Sequence, residues 1–390
     1  MAQLIIKQGR ARPLWHGHPW VFAQAVERLV GAAEAGDVVE VVDCDQRPIG
    51  RAAYNPQSAI AARMLSWRPD EAIDRAWLAR RLGAALRLRR TLGLPSTDTD
   101  CYRLVNAEGD GLPGLVVDVY GPAVVVQFTG NALHRRADWI YAELDTLLQP
   151  AIVVEVDPGA FATQEGLGGG RGLLRGASAA LRCHEHGLAY ELELGEGQKT
   201  GLFLDQRDNH RRIAECAAGR RVLDVYCYTG AFALNAARAG ASAVTAVDSS
   251  ARALATARLN ATHNGLPLEL VEANAMPYLA TLRPESFELV VLDPPKFATH
   301  RSQVPGALKG YHKLLRLTLP TLKDGGLLGL ACCSQLIPVD ELRRVLARAA
   351  AETQCELRLL ERAGAGPDHP TTPAFPEGEY LTFLLCAVAR

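Results

Sequence analysis

Short apolar runs separated by longer mixed segments mark the second half of the chain. From about residue 219 these runs read RVLDVYC, AVTAVD, LELVEAN, FELVVLDPP and GLLGLACCS. The segments between the first and second runs and between the third and fourth are amphipathic, and such alternation of strands with helices is typical of a parallel, doubly wound sheet. Two later runs, CELRLLERAG and YLTFLLCAVA, are joined by a Pro-rich loop. They predict an antiparallel pair that closes one edge of the sheet.

The first half of the chain has a different pattern. Residues 1 to 68 hold short β-type runs such as VVEVVD and IAARML between turn signals, which predicts a small β-rich module. In residues 69 to 190, LPGLVVDVYGPAVVVQFTG predicts two strands joined by a Gly-Pro turn, followed by a helix at about 133 to 148 and the strand AIVVEVD. The glycine-rich EGLGGGRGLLRG lacks a strand-to-helix context and predicts a loop. We therefore expect an α/β fold with a β-rich first module and an α+β middle domain.

An arginine-rich helix is predicted between these two parts, in IDRAWLARRLGAALRLRRTLGL. Its apolar positions, Ile73, Trp77, Leu78, Leu82, Ala85 and Leu86, form one broad stripe. Most of its arginines then face outward, which we interpret as a solvated helix face. Over the whole chain 42 Lys and Arg stand against 43 Asp and Glu, so any nucleic-acid site must be a local patch.

Length and cysteine content narrow the class of protein. A chain of 390 residues is long enough for two or three domains. It has neither a run of about 18 apolar residues nor a signal-peptide pattern at its start, so we expect a cytoplasmic protein without a membrane segment. Nine cysteines without CxxC spacing argue against a disulfide framework and against a cysteine zinc site.

Four successive strands of the predicted sheet end in a chemically distinctive residue, namely Asp224, Asp248, Asn274 and Asp293. In doubly wound sheets, ligands bind outside the carboxyl ends of the strands. Asp248 could bind both hydroxyls of a ribose, and Asn274 could read the edge of an adenine. The first turn, at Thr229-Gly230, is not GxGxxG, which disfavours a pyrophosphate. Together these residues indicate a nucleoside without phosphates, S-adenosylmethionine, although Asp224 and Asp248 taken singly could be turn-forming or capping carboxylates.

The stretch DPPKF, Asp293 to Phe297, indicates the second ligand. Two successive prolines make a stiff turn with carbonyls that are open to donors. A carboxylate beside open carbonyls suits the donor edge of a planar base such as cytosine, adenine or guanine. Lys296 adds a positive charge that could bind a nearby phosphate or lower the pKa of a thiol. The sequence supports equally well that it is an exposed lysine in a turn.

Several long motifs, in the same order, resemble the RlmI-type large-subunit ribosomal RNA cytosine-5 methyltransferases. They are HPWVF (18–22), RLVNAEGDGLPGLVVDVYG (103–121), KTGLFLDQRDNH (199–210), DPPKF (293–297) and DHPTTPAFPEGEYL (368–381). The resemblance covers almost the whole chain. It implies a PUA-like RNA-binding domain at 1–68, an α+β middle domain at 69–190, and a Rossmann-like class I methyltransferase domain at 191–390 that uses S-adenosylmethionine.

The resemblance also implies a nucleophile in LACCSQLI. Members of the family carry Ser-Cys-Ser-Gly here, which places Cys333 as the nucleophile, Cys332 where a Ser usually stands, and Gln335 in place of the Gly. Asp293, Pro294 and Lys296 are the accompanying catalytic residues. Cys333 would add to carbon 6 of cytosine so that carbon 5 can take the methyl group.

The implied cofactor-binding residues are Gln206, Arg207, Asp224, Tyr226, Thr229, Gly230, Asp248, Ser249, Asn274, Ala275 and Asp293. Arg207 would contact a backbone phosphate or the methionine carboxylate. ATQEGL (162–167) lacks the basic residues that relatives carry just before EGL, which leaves open whether this segment contacts RNA. CHEH (183–186) contains residue types that bind zinc. Relatives have a turn here, however, and adjacent ligands on a turn rarely all face one ion. We expect no metal.

Two alternatives remain open at this stage. One is a methyltransferase that acts on a base nitrogen, with Cys333 as filler, and the other is a non-catalytic RNA-binding ribosome assembly factor. The expected partner is large-subunit ribosomal RNA or an assembly intermediate, without a membrane. The sequence leaves open the nucleotide and the oligomeric state, a homodimer included.

Overall fold

A computed structural model describes residues 1–157, 159, 164–194 and 201–390. The strands are β1 (Gln3–Ile6), β2 (Trp20–Phe22), β3 (Val26–Val30), β4 (Val38–Val42), β5 (Pro48–Tyr54), β6 (Ile60–Ser66), β7 (Cys101–Asn106), β8 (Leu115–Tyr120), β9 (Ala123–Phe128), β10 (Ile152–Val156), β11 (Gly172–Arg175), β12 (Ala180–Glu185), β13 (Leu188–Glu193), β14 (Arg221–Val225), β15 (Ala243–Asp248), β16 (Glu269–Glu272), β17 (Phe287–Leu292), β18 (Leu322–Cys332), β19 (Glu356–Ala363) and β20 (Thr382–Ala389). The helices are α1 (Arg12–Trp15), α2 (Arg75–Thr91), α3 (Asn131–His134), α4 (Ala137–Leu148), α5 (Arg207–Glu215), α6 (Ala231–Arg238), α7 (Ala251–Asn264), α8 (Ala275–Thr281), α9 (Val304–Thr318) and α10 (Val339–Glu352).

The chain divides into two compact units. The first unit holds Met1–His184, Leu192–Leu202 and Pro367–Gly378, and the second holds Glu185–Glu191, Phe203–Gly366 and Glu379–Arg390. None of the helices among the described residues combines the length and the apolar character that a membrane crossing needs.

The first unit begins with a six-stranded sheet in the order β2-β6-β5-β4-β1-β3. The sheet covers a core that includes Leu4, Ile6, Val39, Ile49 and Met64, and the inner strand β6 is buried along most of its length. The predicted β-rich module is confirmed in this sheet.

A five-stranded sheet follows, in the order β11-β10-β9-β8-β7. The predicted strands and helix appear as β8, β9, α4 and β10. The loop expected in EGLGGGRGLLRG was a wrong prediction for Gly172–Arg175, which form β11 and pair antiparallel with β10. The pairing satisfies backbone groups that would otherwise be open at the edge of β10, and this gain is invisible to a local glycine count.

Helix α2 begins after Asp74, whose carboxylate accepts a hydrogen bond from the backbone N–H of Trp77 at 2.8 Å. Its predicted apolar stripe is buried from Trp77 to Leu86, whereas Ile73 precedes the helix. Arg89, expected on the outer face with most of the arginines, is instead fully buried.

The second unit is built on a seven-stranded sheet in the order β16-β15-β14-β17-β18-β20-β19. Strands β14 to β18 pair in parallel, and β20 pairs antiparallel with both β18 and β19. The predicted doubly wound sheet with an antiparallel pair at one edge is therefore confirmed. Strand β14 lies between β15 and β17, so the strand order reverses beside it, and this reversal is where ligands bind in such folds.

Candidate active site

The carboxyl ends of β14, β15, β16, β17 and β18 lie along one edge of the sheet, because these neighbouring strands run parallel. Asp224 is the penultimate residue of β14, and Asp248 ends β15. Asp293 directly follows β17, and Cys333 directly follows β18. The fold thus places Asp224, Asp248, Asp293 and Cys333 at one edge of the sheet.

The turn after β14 has an unusual backbone. Tyr226, Tyr228 and Gly230 all have positive φ, at 67°, 50° and 86°. Left-handed conformations of residues other than glycine cost about 1–3 kcal/mol each and cluster at ligand sites. The turn is held by the Tyr228 backbone N–H, which donates to Asp248 Oδ2 at 2.9 Å. The strained turn therefore orients Asp248.

Asp248 is half-buried and accepts a second backbone hydrogen bond, from Ser250 N to Oδ1 at 2.9 Å. Each carboxylate oxygen has a further lone pair, so that the group can still accept two hydroxyl donors. Ser249, beside it, is exposed. This fixed, partly open carboxylate fits the ribose role expected from the sequence.

Asp224 is 1% exposed, and its Oδ2 accepts the backbone N–H of Ala233, in the first turn of α6, at 3.0 Å. Burial, opposed by that hydrogen bond, raises the pKa of Asp224 to about 7. Its Oδ1 has no hydrogen-bond partner among the described residues. The same holds, within that part of the chain, for Thr229 Oγ1 and Gln206 Nε2, both on buried side chains.

These three buried atoms fit the polar groups of S-adenosylmethionine. An unpaired buried polar atom costs about 1–3 kcal/mol, and a bound ligand can supply the missing partner. The set offers both acceptors and donors, as an amino acid end with an ammonium and a carboxylate requires.

Gln206 and Arg207 begin α5 and are both buried. Gln206 Oε1 accepts a hydrogen bond from Asn209 Nδ2 at 2.6 Å, which orients the amide. Arg207 is 3% exposed, so its burial favours contact with a small cofactor carboxylate over contact with an RNA backbone.

Asn274 precedes α8 and is exposed, and its side chain makes no capping hydrogen bond to that helix. The following residue, Ala275, is buried. The Asn274 amide can therefore turn toward a ligand at the strand ends, as an adenine contact requires.

Cys333 Sγ lies 3.6 Å from Asp293 Oδ1, within the range of a thiol–carboxylate hydrogen bond. Both residues are half-buried. Pro294 is buried, and Lys296 is exposed on the same turn. The DPPKF turn and the end of β18 thus place a thiol, a carboxylate and a stiff turn side by side.

Cys332 has a different environment. It is the last residue of β18 and 1% exposed, and burial raises the pKa of its thiol. Beside it, Tyr311 of α9 is fully buried and packs against the Phe297 ring, with centroids 4.9 Å apart. A buried, protonated thiol suits packing.

The sequence did not predict three features of this site. The first is Tyr311 beside the two cysteines, and the second is the left-handed backbone of Tyr228. The third is the pair of Glu185 with His210, whose Nδ1 lies 2.6 Å from the Glu185 carboxylate. Tyr311 lies in an amphipathic helix, where an aromatic residue normally predicts core. A non-glycine left-handed residue has no strong sequence signal. Only the fold brings Glu185 and His210 together.

Two family models match the chain. A PUA-like domain covers residues 4–67, and an S-adenosylmethionine-dependent methyltransferase covers residues 177–379. The second match spans more than half of the chain and includes every strand of the seven-stranded sheet except β20, which begins at Thr382. This protein is accordingly an S-adenosylmethionine-dependent methyltransferase, and S-adenosylmethionine is its methyl donor.

Relatives that match over their full length identify the family within the methyltransferases. Ribosomal RNA large subunit methyltransferase I of Erwinia tasmaniensis is 37% identical and covers 99% of both chains. The protein of that name from Shewanella denitrificans is 38% identical over 98% of both chains. The one from Escherichia coli O139:H28 is 36% identical over 99% of both. The chain belongs to the ribosomal RNA large subunit methyltransferase I family.

Solved structures agree on the fold. A methyltransferase crystallised with SAH superposes with a TM-score of 0.85 at 22% identity, over 99% of this chain and 100% of the other. A Streptococcus mutans structure assigned to the same class gives a TM-score of 0.84 with the same identity and coverage. The fold prediction, with its PUA-like module and its class I methyltransferase sheet, is confirmed.

Proposed function

We propose that this enzyme methylates carbon 5 of a cytosine in large-subunit ribosomal RNA, with Cys333 as a transient nucleophile. One observation carries the proposal: Cys333 Sγ lies 3.6 Å from Asp293 Oδ1, at the ends of two neighbouring strands of the cofactor-binding sheet. The ribosomal substrate is supported by the relatives, which are named for it.

Carbon 5 of cytosine is a weak nucleophile, so the ring must be activated before it can take a methyl group. Addition of the Cys333 sulfur to carbon 6 places electron density on carbon 5. A thiol with an ordinary pKa of about 8.5 is mostly protonated at neutral pH. Asp293, within hydrogen-bond distance, can accept the thiol proton and pass it to N3 of the base.

Carbon 5 takes the methyl group, and the donor leaves as S-adenosylhomocysteine. A base then removes the proton of carbon 5, and the electrons of that C–H bond restore the ring double bond and expel the Cys333 thiolate. The proton on N3 returns through Asp293 to the thiolate, which restores the starting thiol. The Pro294 carbonyl holds the exocyclic amine, and Lys296, exposed on the same turn, contacts a phosphate of the flipped-out nucleotide.

Cofactor binding divides among three strand ends. Asp224, Gln206, Thr229 and Arg207 hold the methionine end of S-adenosylmethionine through the buried polar atoms described above. Asp248 binds the ribose hydroxyls, and Asn274 binds the adenine edge. Tyr226, Gly230, Ser249 and Ala275 shape the walls of this pocket.

The test uses RNA that contains 5-fluorocytosine, mixed with the full-length enzyme and S-adenosylmethionine. Fluorine at carbon 5 blocks the final proton loss, so a cytosine-5 enzyme is trapped as a covalent adduct that survives denaturation. Cys333→Ala should abolish the adduct. Cys332→Ser, the matched neighbour, should retain it, because Cys332 is packed in the core and serine stands there in relatives.

Each other outcome contradicts the proposal in a distinct way. Methyl transfer to RNA without an adduct, retained in Cys333→Ala, would identify a base-nitrogen methyltransferase. RNA binding without any methyl transfer by a preparation that binds S-adenosylmethionine would identify an assembly factor.

Three broader expectations are proposed with this function. The three-domain division at 68 and 190 places an RNA-binding module before the catalytic domain. The cytoplasm, where large-subunit RNA is found, is the proposed compartment, and the nine reduced thiols suit it. Light scattering of the purified chain would decide between monomer and homodimer.

A further inference from the structure

A cluster of metal-ligating side chains lies in the first unit, outside the methyltransferase sheet. Asp100 directly precedes β7, Cys101 is the first residue of β7, and Cys183 lies in β12. One ligand atom of each lies within 4.8 Å of the other two. Both thiols are 0% exposed, and Asp100 is half-buried.

Backbone hydrogen bonds hold the two segments in this arrangement. Asp100 N donates to the His184 carbonyl at 3.0 Å, and His184 N donates to Asp100 Oδ1 at 2.6 Å. The Cys101 thiol donates to the same carbonyl at 3.2 Å. Since both strands are tied at the cluster itself, the ligand atoms converge without a change of backbone.

The cluster has one open side. Gly121, with φ at 53°, donates its N–H to the Asp100 carbonyl at 2.9 Å, and a Cβ at this position would lie 3.6 Å from Asp100 Oδ2. A side chain at this position would therefore lie in ordinary van der Waals contact with the carboxylate. His184 is exposed, with its Nδ1 3.1 Å from Asp100 Oδ2. An ion can approach past the half-buried Asp100 while the thiols stay shielded from water.

The ligand types select the metal. Two thiolates and one carboxylate form a soft and borderline donor set that suits zinc, whereas calcium and magnesium prefer oxygen alone. We propose that Asp100, Cys101 and Cys183 bind a zinc-class divalent ion, with a water as the fourth ligand and with His184 orienting the Asp100 carboxylate.

This proposal revises the expectation of no metal at CHEH. Cys183 to Glu185 lie in β12, and the turn begins only at His186. Glu185 pairs with His210, and His186 Nε2 lies 3.2 Å from the Arg207 carbonyl. Of this motif, Cys183 alone supplies a ligand, and the other two ligands, Asp100 and Cys101, come from a distant segment that no local spacing reveals.

A bound ion would stabilise the first unit. It would join the start of β7 to β12 through side chains, in addition to the backbone bonds. A metal that binds the folded but not the unfolded chain raises the free energy of unfolding by mass action.

The experiment titrates the full-length, reduced, chelator-treated enzyme with Co²⁺ and then with Zn²⁺. We expect about one equivalent of Co²⁺ to bind with the thiolate-to-cobalt charge-transfer band and the strong visible bands of tetrahedral coordination. Zn²⁺ should bleach them. Cys101→Ser and Cys183→Ser should each weaken the charge-transfer band, and the double variant should lose it, whereas Cys216→Ser, a half-buried thiol elsewhere in the chain, should keep it in full.

Variants of the less buried residues Asp100 and His184 test the site even if the buried cysteine variants fail to fold. Asp100→Asn and His184→Ala change no buried apolar volume and should weaken Co²⁺ binding about 10- to 100-fold. Zn²⁺ should raise the melting temperature of the wild type and not that of Asp100→Asn. No charge-transfer band in the wild type, a band that survives in the double Cys101→Ser/Cys183→Ser variant, or a Cys101–Cys183 disulfide in the freshly purified protein would overturn the proposal.

Discussion

Two groups of buried polar atoms differ in how completely they are hydrogen-bonded. In the first unit, the fully buried Arg89 donates from Nε to the Arg103 carbonyl at 2.7 Å. It also donates to both oxygens of Asp110 at 2.5 and 2.8 Å and to the Asp368 carbonyl at 2.8 Å. At the strand ends of the second unit, by contrast, Asp224, Thr229 and Gln206 each bury one polar atom that no described residue satisfies.

The difference separates structural from ligand-binding polar groups. A buried polar group is costly only while it lacks a partner. Arg89 finds all its partners within the chain, so its charge serves the fold. We propose that the atoms of Asp224, Thr229 and Gln206 gain their partners when S-adenosylmethionine binds.

Breaking the complete network should have the largest effect on stability. Arg89→Met removes the guanidinium and leaves the Asp110 carboxylate buried and without its ion pair. We expect the free energy of unfolding to fall by about 3–5 kcal/mol, measured by urea denaturation of the first unit's transition. Arg90→Met, at an exposed neighbour, should change it by less than about 0.5 kcal/mol. Equal, small effects of both changes would show that the pairing of Arg89 contributes little.

The same contrast explains which parts of the molecule the sequence predicts. Strands β14 to β18 follow from apolar runs because each strand is buried on both faces, and the residues at their ends follow from strand order. The role of Arg89 does not, because a helical pattern shows only that an arginine continues the apolar stripe, and it does not name the partners of that arginine. Its partners Asp110 and Asp368 lie on segments that only folding brings near.

The site residues divide in a similar way. Asp248 and Asn274 are found because each ends a strand or begins a helix, which local pattern reveals. The unsatisfied atom of Asp224 and the left-handed Tyr228 are three-dimensional properties. They depend on what surrounds a side chain or a turn, and no spacing encodes them.

The burial of Asp224 predicts how the stability of the ligand-free enzyme depends on pH. Burial raises its folded-state pKa to about 7, while an unfolded Asp titrates near about 3.9. Between these values the folded state keeps a proton that the unfolded state has released. The stability of the ligand-free enzyme should therefore fall as pH rises through this window and level off above about 7. Urea denaturation across the window should show this slope in the wild type and a reduced slope in Asp224→Asn.

Binding of S-adenosylmethionine should offset the cost of ionising the buried Asp224 carboxyl group. Above the pKa of about 7, the ionised Asp224 can pair with the ammonium of S-adenosylmethionine. Asp224→Asn should then raise the dissociation constant about 10- to 100-fold, or about 1.4–2.8 kcal/mol, measured by calorimetry. Asp340→Asn, at an exposed helix start, is the control. Unchanged affinity in Asp224→Asn would place the methionine end elsewhere.

The smallest predicted effect compares two buried threonines within the second unit. Thr318 Oγ1 donates to the Leu314 carbonyl at 2.9 Å, whereas Thr229 Oγ1 has no partner among the described residues. Thr318→Val should lower the free energy of unfolding by about 0.5–1.5 kcal/mol, because a made hydrogen bond is lost. Thr229→Val should leave it unchanged or raise it by up to about 1 kcal/mol, and should weaken S-adenosylmethionine binding. Calorimetry and urea denaturation of both variants measure the two quantities. If Thr229→Val destabilises the ligand-free enzyme as much as Thr318→Val does, the Thr229 hydroxyl has a partner within the fold, and its burial says nothing about a ligand.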